Sequence, residues 1–408
     1  MDGAAIEANE PITLEGVQRV VVKVGSSSLS LPAGGLDRDR MARLVQRLVR
    51  LRERYQVVLV SSGAVSAGRG VLGHQAPANL REKQALAAVG QGRLIQAYEE
   101  LFAPAGVHVA QVLLTRADVR DRRRYLNTRL TLTTLLEWDV LPIINENDTV
   151  AVEEIRWGDN DTLSALVAIL VDADLLVMLS DVDGLYDADP RTNPAARRIR
   201  VVPHISPQLL EAAGPAGPLG SGGIATKLEA ARMATRSGVA AVLAHAEASE
   251  TWEELLAGRP PGTYFPAKRG LPARKRWIAL HDRPRGWVRI DAGACEAILH
   301  RGGSLLPVGV TEAGGSFGPG ALVSVLEPGG REIARGLITI GSQELAQFLA
   351  STGEARREAI ADLERIAWDR SGEATWLVHR RRVAGVAPQL RDRAGFVPDF
   401  AAVAALGL

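Results

Sequence analysis

Several apolar runs of this 408-residue chain end in short polar or glycine-rich loops, and two of these loops carry a lysine. Lys23 precedes the loop "GSSSL", and Lys227 lies in "SGGIATKLEA" at the start of a predicted helix. Glycines let backbone N–H groups approach an anion, and a helix N-terminus attracts phosphate. Phosphoryl transfer needs positive charge on the transferred group and little covalent help from the protein. These loops therefore favour a site for phosphoryl transfer.

The densest polar stretch is "NENDTVAVEEIRWGDND", residues 145–161, which follows the apolar run "VLPII". Nine of its seventeen side chains are acids or amides. A metal cage, a solvated turn and the lining of a polar-ligand pocket would each have such a composition. The spacing of a calcium-binding loop is absent, which weakens the metal interpretation. We interpret the stretch as two polar patches at the ends of a hairpin whose middle part, "VAVEEIRW", alternates like an exposed arm.

The elements that must position these loops alternate along the first two thirds of the chain. Near-continuous apolar strands that alternate with helices predict a mostly parallel open sheet sandwiched by helices. Such sheets bind ligands outside the carboxyl ends of their strands, which is where most of the polar loops fall. The predicted strands are "RVVVKVG", "QVVLVSSG", "VHVAQVLL", "VLPIIN", "ADLLVMLSD" and "VAAVLA", and the predicted helices are residues 36–55, 79–103, 123–137, 161–172 and 225–238.

The pattern changes near residue 260, where "GRPPGTYFPAKRGLPARKR" is rich in proline, glycine and cations. Short strand-like runs follow, separated by glycine turns: "GWVRID", "SLLPVGV", "ALVSVLEP" and "EIARGLI". This spacing predicts a second, small β-rich domain. We therefore expect an α/β domain at 17–265, a linker at 266–274, the β-rich domain at 275–360, and a C-terminal helix and tail at 361–408.

Composition and motif searches argue against several classes of protein. The net charge is +1, so no global field attracts nucleic acid or membrane. The single cysteine, Cys295, cannot form an internal disulfide, and the most apolar run is too short to cross a bilayer. No GxxxxGK[ST] motif occurs, and the GxGxxG at 68–73 does not follow a strand directly, as a dinucleotide fingerprint must. We expect a cytoplasmic protein, since the N-terminus carries no secretory signal.

Taken together and in order, these motifs resemble the glutamate 5-kinases of the amino-acid-kinase superfamily. From "RKRWI" onward the chain resembles the PUA domain that bacterial members of the family append. The resemblance implies the amino-acid-kinase fold and ATP-dependent phosphorylation of the γ-carboxylate of L-glutamate, the first step of proline biosynthesis. It runs from about residue 18 to 265 and is carried by "VVKVGSSSL", "VSSGAVSAGRG", "KQALAAVGQGRLIQAYEELF", "QVLLTRADVRDRRRYLNTR", "PIINENDTVAVEEIRWGDNDTLSALVA", "VMLSDVDGLYDADPR" and "GSGGIATKLEAARMA".

The resemblance also implies a role for each matching residue. Lys23 and Lys227 would be catalytic cations, and Asp161 would hold them in place while capping the N-terminus of its helix. The amino-acid substrate would bind at Ser62, Gly63, Asp148 and Asn160. The nucleotide would bind at Lys23, Gly25, Ser26, Ser180, Asp181, Ser221, Gly222, Gly223, Ile224, Ala225, Thr226 and Lys227. No protein metal ligand is expected, because ATP would carry Mg²⁺ on its phosphates.

Two alternatives stay open. Within the enzyme class, the substrate could be N-acetylglutamate or aspartate. PUA domains elsewhere bind RNA, and residues 266–301 carry nine Lys/Arg against three acids. We favour a solvated basic surface, because few aromatic residues such as Trp277 and Trp287 accompany the charge. The family further implies proline as a feedback inhibitor and a homo-oligomer, either a dimer or a tetramer.

Overall fold

The computed structural model divides the chain into two compact units, residues 1–270 and 271–408. None of the helices in the described ranges has the length and apolar content that a membrane span requires. The hairpin arm predicted at 150–157 lies outside the described residues except for Val150, as does most of the predicted linker. The structure describes residues 12–74, 76–115, 118–119, 122–150, 160–188, 190, 193, 195–213, 223–267, 284–299, 305–351 and 383–384.

A seven-stranded sheet forms the centre of the first unit. The strands of this unit are β1 (Arg19–Val24), β2 (Gln56–Ser61), β3 (Val109–Leu114), β4 (Leu141–Glu146), β5 (Leu175–Ser180), β6 (Leu185–Tyr186), β7 (Arg198–Ile199), β8 (Ala240–His245) and β9 (Thr263–Phe265). The sheet order is β3-β4-β2-β1-β5-β8-β9, and β6 pairs with β7 separately. Every pair in the large sheet is parallel except β8 with β9. The predicted fold class is confirmed.

Helices connect these strands and pack on the sheet. They are α1 (Arg38–Arg52), α2 (Ala64–Leu72), α3 (Leu80–Phe102), α4 (Arg122–Glu137), α5 (Asn160–Leu170), α6 (Pro207–Ala212), α7 (Ile224–Arg236) and α8 (Ser249–Leu256). Successive residues of a strand face opposite sides of the sheet. Val22 of β1 belongs to a core that contains Met41 of α1 and Tyr98 of α3. Lys23 therefore faces the other side, where it contacts Asp161 of α5.

Helix α2 is the largest difference from the sequence prediction in this unit. The sequence predicts a glycine-rich loop after β2, whereas the structure has a helix that begins at Ala64. Gly68 and Gly70 of the GxGxxG pattern lie inside this helix, and Gly73 ends it with a φ of 63°. The pattern is therefore part of a helix and its cap, and the dinucleotide interpretation is wrong. Helix α8 and the antiparallel strand β9 were also not predicted.

Close contact with α3 explains why a glycine-rich segment is helical here. A Cβ atom on Gly68 would lie 2.0 Å from the carbonyl oxygen of Leu86. A Cβ atom on Gly90 would lie 1.8 Å from the carbonyl oxygen of Ala64. The two helix backbones touch at positions where only glycine fits. Tertiary packing thus overrides the low helix propensity of this sequence.

We expect Gly90→Ala to destabilise the protein by about 1–3 kcal/mol, the usual cost of an overpacked core. Ala64 begins α2 directly after Ser62 and Gly63, which the resemblance assigns to the amino-acid substrate, so the activity should fall as well. Gly92→Ala is a matched control on the same helix, since a Cβ atom there would meet nothing within 4 Å. That control should gain up to about 1 kcal/mol from helix propensity. Chemical denaturation of both variants checks the prediction, and equal stabilities would contradict the proposed helix contact.

In its described residues, the second unit contains a separate sheet and two α-helices. Its elements are β10 (Gly286–Ile290), α9 (Ala292–Leu299), β11 (Val310–Gly315), β12 (Leu322–Leu326), β13 (Glu332–Leu337), α10 (Ser342–Ala350) and β14 (Val383–Ala384). The sheet order is β11-β10-β12-β13-β14. Val288, Ile333 and Phe348 belong to its hydrophobic core. The expectation of a β-rich second domain is confirmed.

Details of this unit differ from the sequence prediction. The run "SLLPVGV" was predicted to be a strand, but Pro307–Gly309 form a 3-10 turn and β11 begins only at Val310. Helices α9 and α10 were not predicted. Strand β14 lies beyond the predicted boundary at residue 360 and pairs with β13. The rest of the predicted C-terminal helix and tail lies outside the described residues.

Candidate active site

A buried carboxylate lies between two buried lysines in the first unit. Oδ1 of Asp161 is 2.5 Å from Nζ of Lys23, and Oδ2 is 3.1 Å from Nζ of Lys227. The exposed fractions are 3% for Lys23, 0% for Asp161 and 6% for Lys227. Because one anion is shared by two cations, the cluster carries net positive charge where water screens it little. Such a cluster is suited to a polyanionic ligand.

Three elements that are distant in sequence bring this cluster together. Lys23 lies near the end of β1, which is flanked by β2 and β5 inside the sheet. Asp161 lies in the first turn of α5, and Lys227 lies in the first turn of α7. Oγ1 of Thr226 lies 3.1 Å from Oδ2 of Asp161 and 2.8 Å from the carbonyl oxygen of Gly223. The threonine thereby ties the start of α7 to the carboxylate.

The predicted N-cap role of Asp161 is wrong. Helix α5 begins at Asn160, so Asp161 is the second residue of the helix. Its two carboxylate oxygens contact the lysines, as the distances above show. An N-cap residue precedes the first turn of its helix, and Asp161 lies within that turn.

Four of the predicted nucleotide-binding residues, Gly25, Ser26, Ser180 and Asp181, lie at the carboxyl ends of β1 and β5. Strands β1 and β5 are adjacent and parallel, so the loops at Gly25–Ser26 and at Ser180–Asp181 leave the sheet side by side. A Cβ atom on Gly25 would lie 3.7 Å from Nζ of Lys23, so the glycine leaves room beside the ammonium group. Oγ of Ser180 donates a hydrogen bond of 2.9 Å to Asp181.

The N-terminus of α7 faces the same cluster. Gly223 precedes the helix, and a Cβ atom there would meet nothing within 4 Å. Ile224, Ala225, Thr226 and Lys227 form the first turn, whose backbone N–H groups suit an anion. Ser221 and Gly222 lie outside the described residues.

Amide and hydroxyl groups form a second network next to the lysine pair. Nδ2 of Asn160 donates to Oγ of Ser62 at 2.7 Å and to Oδ1 of Asn145 at 3.0 Å. Nδ2 of Asn145 donates to Oε1 of Gln91 at 2.8 Å. Gly63 follows Ser62 with a φ of 112° and precedes α2. The network joins the ends of β2 and β4 to α3 and α5, beside Asp161.

Two acids, Glu146 and Asp148, and one lysine, Lys83, lie beyond this network. Nζ of Lys83 is 3.5 Å from Oδ1 of Asp148. Burial, then the charge of Asp148, raises the pKa of Glu146 to about 7, while Lys83 lowers it by less. Burial also raises the pKa of Asp148 from its ordinary value, against the opposing charge of Lys83. The acids are therefore held in surroundings where their negative charge is poorly solvated.

Glu146 should make stability depend on pH. Its pKa is about 7 in the folded chain against an ordinary value of 4.5, so folding favours the protonated carboxyl. The stabilisation from a neutral Glu146 is complete below about pH 4.5 and is lost as the pH rises through 7. Allowing for partial solvent screening, we expect Glu146→Gln to be about 1–2 kcal/mol more stable than the parent at pH 8 and equal to it at pH 4.5.

Urea unfolding at pH 4.5, 6 and 8 measures this difference. Glu99→Gln, which changes an exposed glutamate of α3, is the control and should track the parent at every pH. A constant offset between Glu146→Gln and the parent across this range would contradict the elevated pKa.

Sequence reasoning missed three residues that the structure brings to this region: Asn145, Gln91 and Lys83. Asn145 was part of the polar stretch but had no assigned role. Gln91 lies between Gly90 and Gly92 on α3, and a polar residue between two helical glycines was the available signal. Lys83 lies in the first turn of a helix, where an isolated lysine ordinarily faces solvent.

Comparison with known proteins decides the family. Residues 18–245 match the amino acid kinase family, and residues 286–356 match the PUA domain. The chain belongs to the amino acid kinase family. Within this family the residues that match include Lys23, Asp161 and Lys227, so the buried cluster lies inside the kinase region.

Curated proteins similar to this chain show which group of amino acid kinases it resembles. A glutamate 5-kinase of Pseudomonas putida is 48% identical over 344 residues, which cover 83% of this chain and 92% of the relative. A glutamate 5-kinase of Moorella thermoacetica is 49% identical over 348 residues, covering 84% and 92%. One from Caldanaerobacter subterraneus is 48% identical over 334 residues, covering 81% and 90%. The resemblance to glutamate 5-kinases is confirmed.

Proposed function

We propose that this amino acid kinase transfers the γ-phosphoryl group of ATP to the γ-carboxylate of L-glutamate. The products are ADP and L-glutamyl 5-phosphate, and the reaction is the first step of proline biosynthesis. The observation that carries the proposal is the buried pair of lysines on Asp161, next to the Asn160–Ser62 network. The similarity to glutamate 5-kinases supports the choice of substrate.

The acceptor needs no general base. A glutamate side chain titrates near ~4.3 and is therefore ionised at neutral pH. One of its oxygens attacks the γ-phosphorus, a new P–O bond forms, and the bond to the β-phosphate oxygen breaks with its electron pair going to ADP. No proton has to move, which agrees with a site built from lysines, amides and hydroxyls.

Charge repulsion is the main obstacle, because an anionic carboxylate must approach a polyanionic nucleotide. Lys23 and Lys227 offset that charge from two directions in a nearly dry site. Asp161 keeps both ammonium groups in position before the substrates arrive. Ser62, Gly63, Asn160 and Asp148 bind the amino acid on the other side of Asp161.

Magnesium fits this site as an ion carried by the nucleotide. Among the described residues, no three His, Cys, Asp or Glu side chains are grouped to hold a metal. Both oxygens of Asp161 contact lysines, so this carboxylate is not arranged as a ligand. Mg²⁺ is commonly held by phosphates, waters and one or two carboxylates. Mg²⁺ would neutralise charge on the nucleotide phosphates, and Asp181, one of the predicted nucleotide-binding residues, would be the carboxylate that holds it.

Several further properties complete the proposal. From the family we infer cytoplasmic activity, feedback inhibition by proline, and assembly into a homodimer or homotetramer. RNA binding by the PUA domain is disfavoured, because the guanidinium of Arg289 lies 5.3 Å from the ring centre of Trp287 and covers a stacking surface. RNA binding that weakens steeply with salt would contradict this part of the proposal.

Hydroxylamine trapping tests the reaction. The full chain is incubated with Mg-ATP, hydroxylamine and either L-glutamate, N-acetyl-L-glutamate or L-aspartate. We expect ADP and hydroxamate to form in equal amounts with L-glutamate and far more slowly with the other two. A preference for N-acetylglutamate or aspartate would identify a different amino acid kinase, and no hydroxamate with any acceptor would rule out an acyl phosphate product.

A further inference from the structure

Lys83 forms an ion pair with Asp148, a predicted substrate-binding residue, but Lys83 itself has no role in the reaction described so far. Nζ of Lys83, in the first turn of α3, is 3.5 Å from Oδ1 of Asp148, in the loop after β4. The side chain of Asp148 is 14% exposed, and that of Lys83 is 47% exposed. A poorly solvated acid thus faces a cation that can still reach solvent or a ligand.

This ion pair is close in sequence to the hydrogen-bond network that leads to the phosphoryl-transfer end. Asp148 lies three residues after Asn145, which accepts a hydrogen bond from Asn160. Asn160 directly precedes Asp161, the residue that holds the two catalytic lysines. The substrate site therefore has cations at one end, amides in the middle and the Lys83–Asp148 pair at the other end.

The charges of this arrangement match those of an α-amino acid with an acidic side chain. Its γ-carboxylate is placed next to Lys23 and Lys227, where the phosphoryl group is transferred. Its other end carries one ammonium and one carboxylate group on the same carbon. Asp148 binds the α-ammonium group, so the α-carboxylate requires a separate cation as its partner.

We propose that Lys83 binds the α-carboxylate of the substrate while Asp148 binds its α-ammonium group. The proposal rests on the glutamate kinase activity proposed above and adds a specificity-determining residue to it. The Lys83–Asp148 pair opens when the zwitterion inserts. Lys83 then exchanges the carboxylate of Asp148 for that of the substrate, and Asp148 exchanges the ammonium group of Lys83 for that of the substrate. Charge is balanced before and after binding, so no buried charge is left unpaired.

The alternative is an ordinary ion pair that fixes the start of α3 to the loop after β4. An ion pair with one half-exposed partner contributes little to stability, so this alternative predicts nearly unchanged substrate kinetics.

Four proteins test the proposal: the parent, Lys83→Met, Lys83→Arg and Arg81→Met. Arg81 is an exposed cation in the same helical turn and serves as a matched control for loss of charge. KM and kcat are measured for L-glutamate. Inhibition constants against glutamate are measured for glutarate, which lacks the ammonium group, and for 4-aminobutanoate, which lacks the α-carboxylate.

We expect Lys83→Met to raise KM for glutamate by about 10- to 100-fold, the scale of one hydrogen bond to a charged group, with a much smaller change in kcat. The inhibition constant of glutarate should rise by a similar factor in Lys83→Met, whereas the inhibition constant of 4-aminobutanoate should not rise. Lys83→Arg should restore most of the affinity, and Arg81→Met should behave as the parent.

A KM for glutamate within about twofold of the parent in Lys83→Met would overturn the proposal. An equal rise in the inhibition constants of 4-aminobutanoate and glutarate in Lys83→Met would also overturn the proposal, since that result indicates a structural defect. The two inferences fail separately. If the parent forms no glutamyl hydroxamate, the proposed function fails. If the parent is active and Lys83→Met matches it, only the role of Lys83 fails.

Discussion

We expect Lys227→Ala to lower turnover by about 100- to 1,000-fold, the scale measured when one preorganised donor is removed from an active site. The ammonium group of Lys227 is 3.1 Å from Asp161 and only 6% exposed, so water replaces its charge poorly. The effect belongs to the transition state, because the charge on the transferring group is what the lysine stabilises. KM for glutamate should therefore change little, since the amino acid binds at the Asn160–Ser62 side.

Steady-state kinetics with saturating ATP separates kcat from KM for this variant. Arg236→Ala, at the far end of the same helix, is the control and should keep the parental turnover. Parental turnover in Lys227→Ala would remove this lysine from the mechanism. A large rise in KM with unchanged kcat would instead assign it to ground-state binding of the nucleotide or amino acid.

Asp161→Asn has the second large effect, and it acts on both stability and activity. The substitution keeps the shape of the side chain but leaves two buried lysines without their shared anion. Removing one partner from a buried ion pair costs about 3–5 kcal/mol, because the remaining charge is uncompensated. The ammonium groups also lose their common anchor, and misplacement by about 1 Å can reduce turnover about 100-fold.

Urea unfolding and kinetics at low temperature, where the variant stays folded, measure the two effects separately. Asp139→Asn makes the same chemical change in the exposed ion pair with Arg52 and is the control. Asp139 has a φ of 57°, which asparagine tolerates, so little change is expected there. If Asp161→Asn were as stable and as active as this control, the buried carboxylate would have no organising role.

Periodic features of the sequence predicted most of the catalytic unit. Strand β1 is a run of β-branched residues followed by a glycine, and the alternation of strands and helices predicted its parallel pairing, though not that its neighbours are β2 and β5. The position of Lys23, Asp161 and Lys227 at one edge was also predictable, because the carboxyl ends of parallel strands lie together. The confirmed family resemblance then implied their roles.

Contacts between distant segments were not predictable in the same way. Helix α2 forms because Gly68 and Gly90 let it touch α3, and no local pattern in "GAVSAGRG" records that contact. The Lys83–Asp148 pair joins residues that are 65 positions apart, and each of them alone is typical of a solvated surface. Asp161 was expected to cap its own helix, yet the two lysines take both of its oxygens.

The most direct measurement follows the oxygen that links the product's acyl and phosphoryl groups. L-glutamate labelled with oxygen-18 in its γ-carboxylate is incubated with unlabelled ATP, Mg²⁺ and hydroxylamine, and the released phosphate is analysed by mass spectrometry. Hydroxylamine attacks the acyl carbon, so the phosphate should leave with one labelled oxygen, at a rate that falls in Lys227→Ala together with ADP formation. Unlabelled phosphate from an active preparation would show that the γ-carboxylate is not the acceptor and would contradict the proposed reaction.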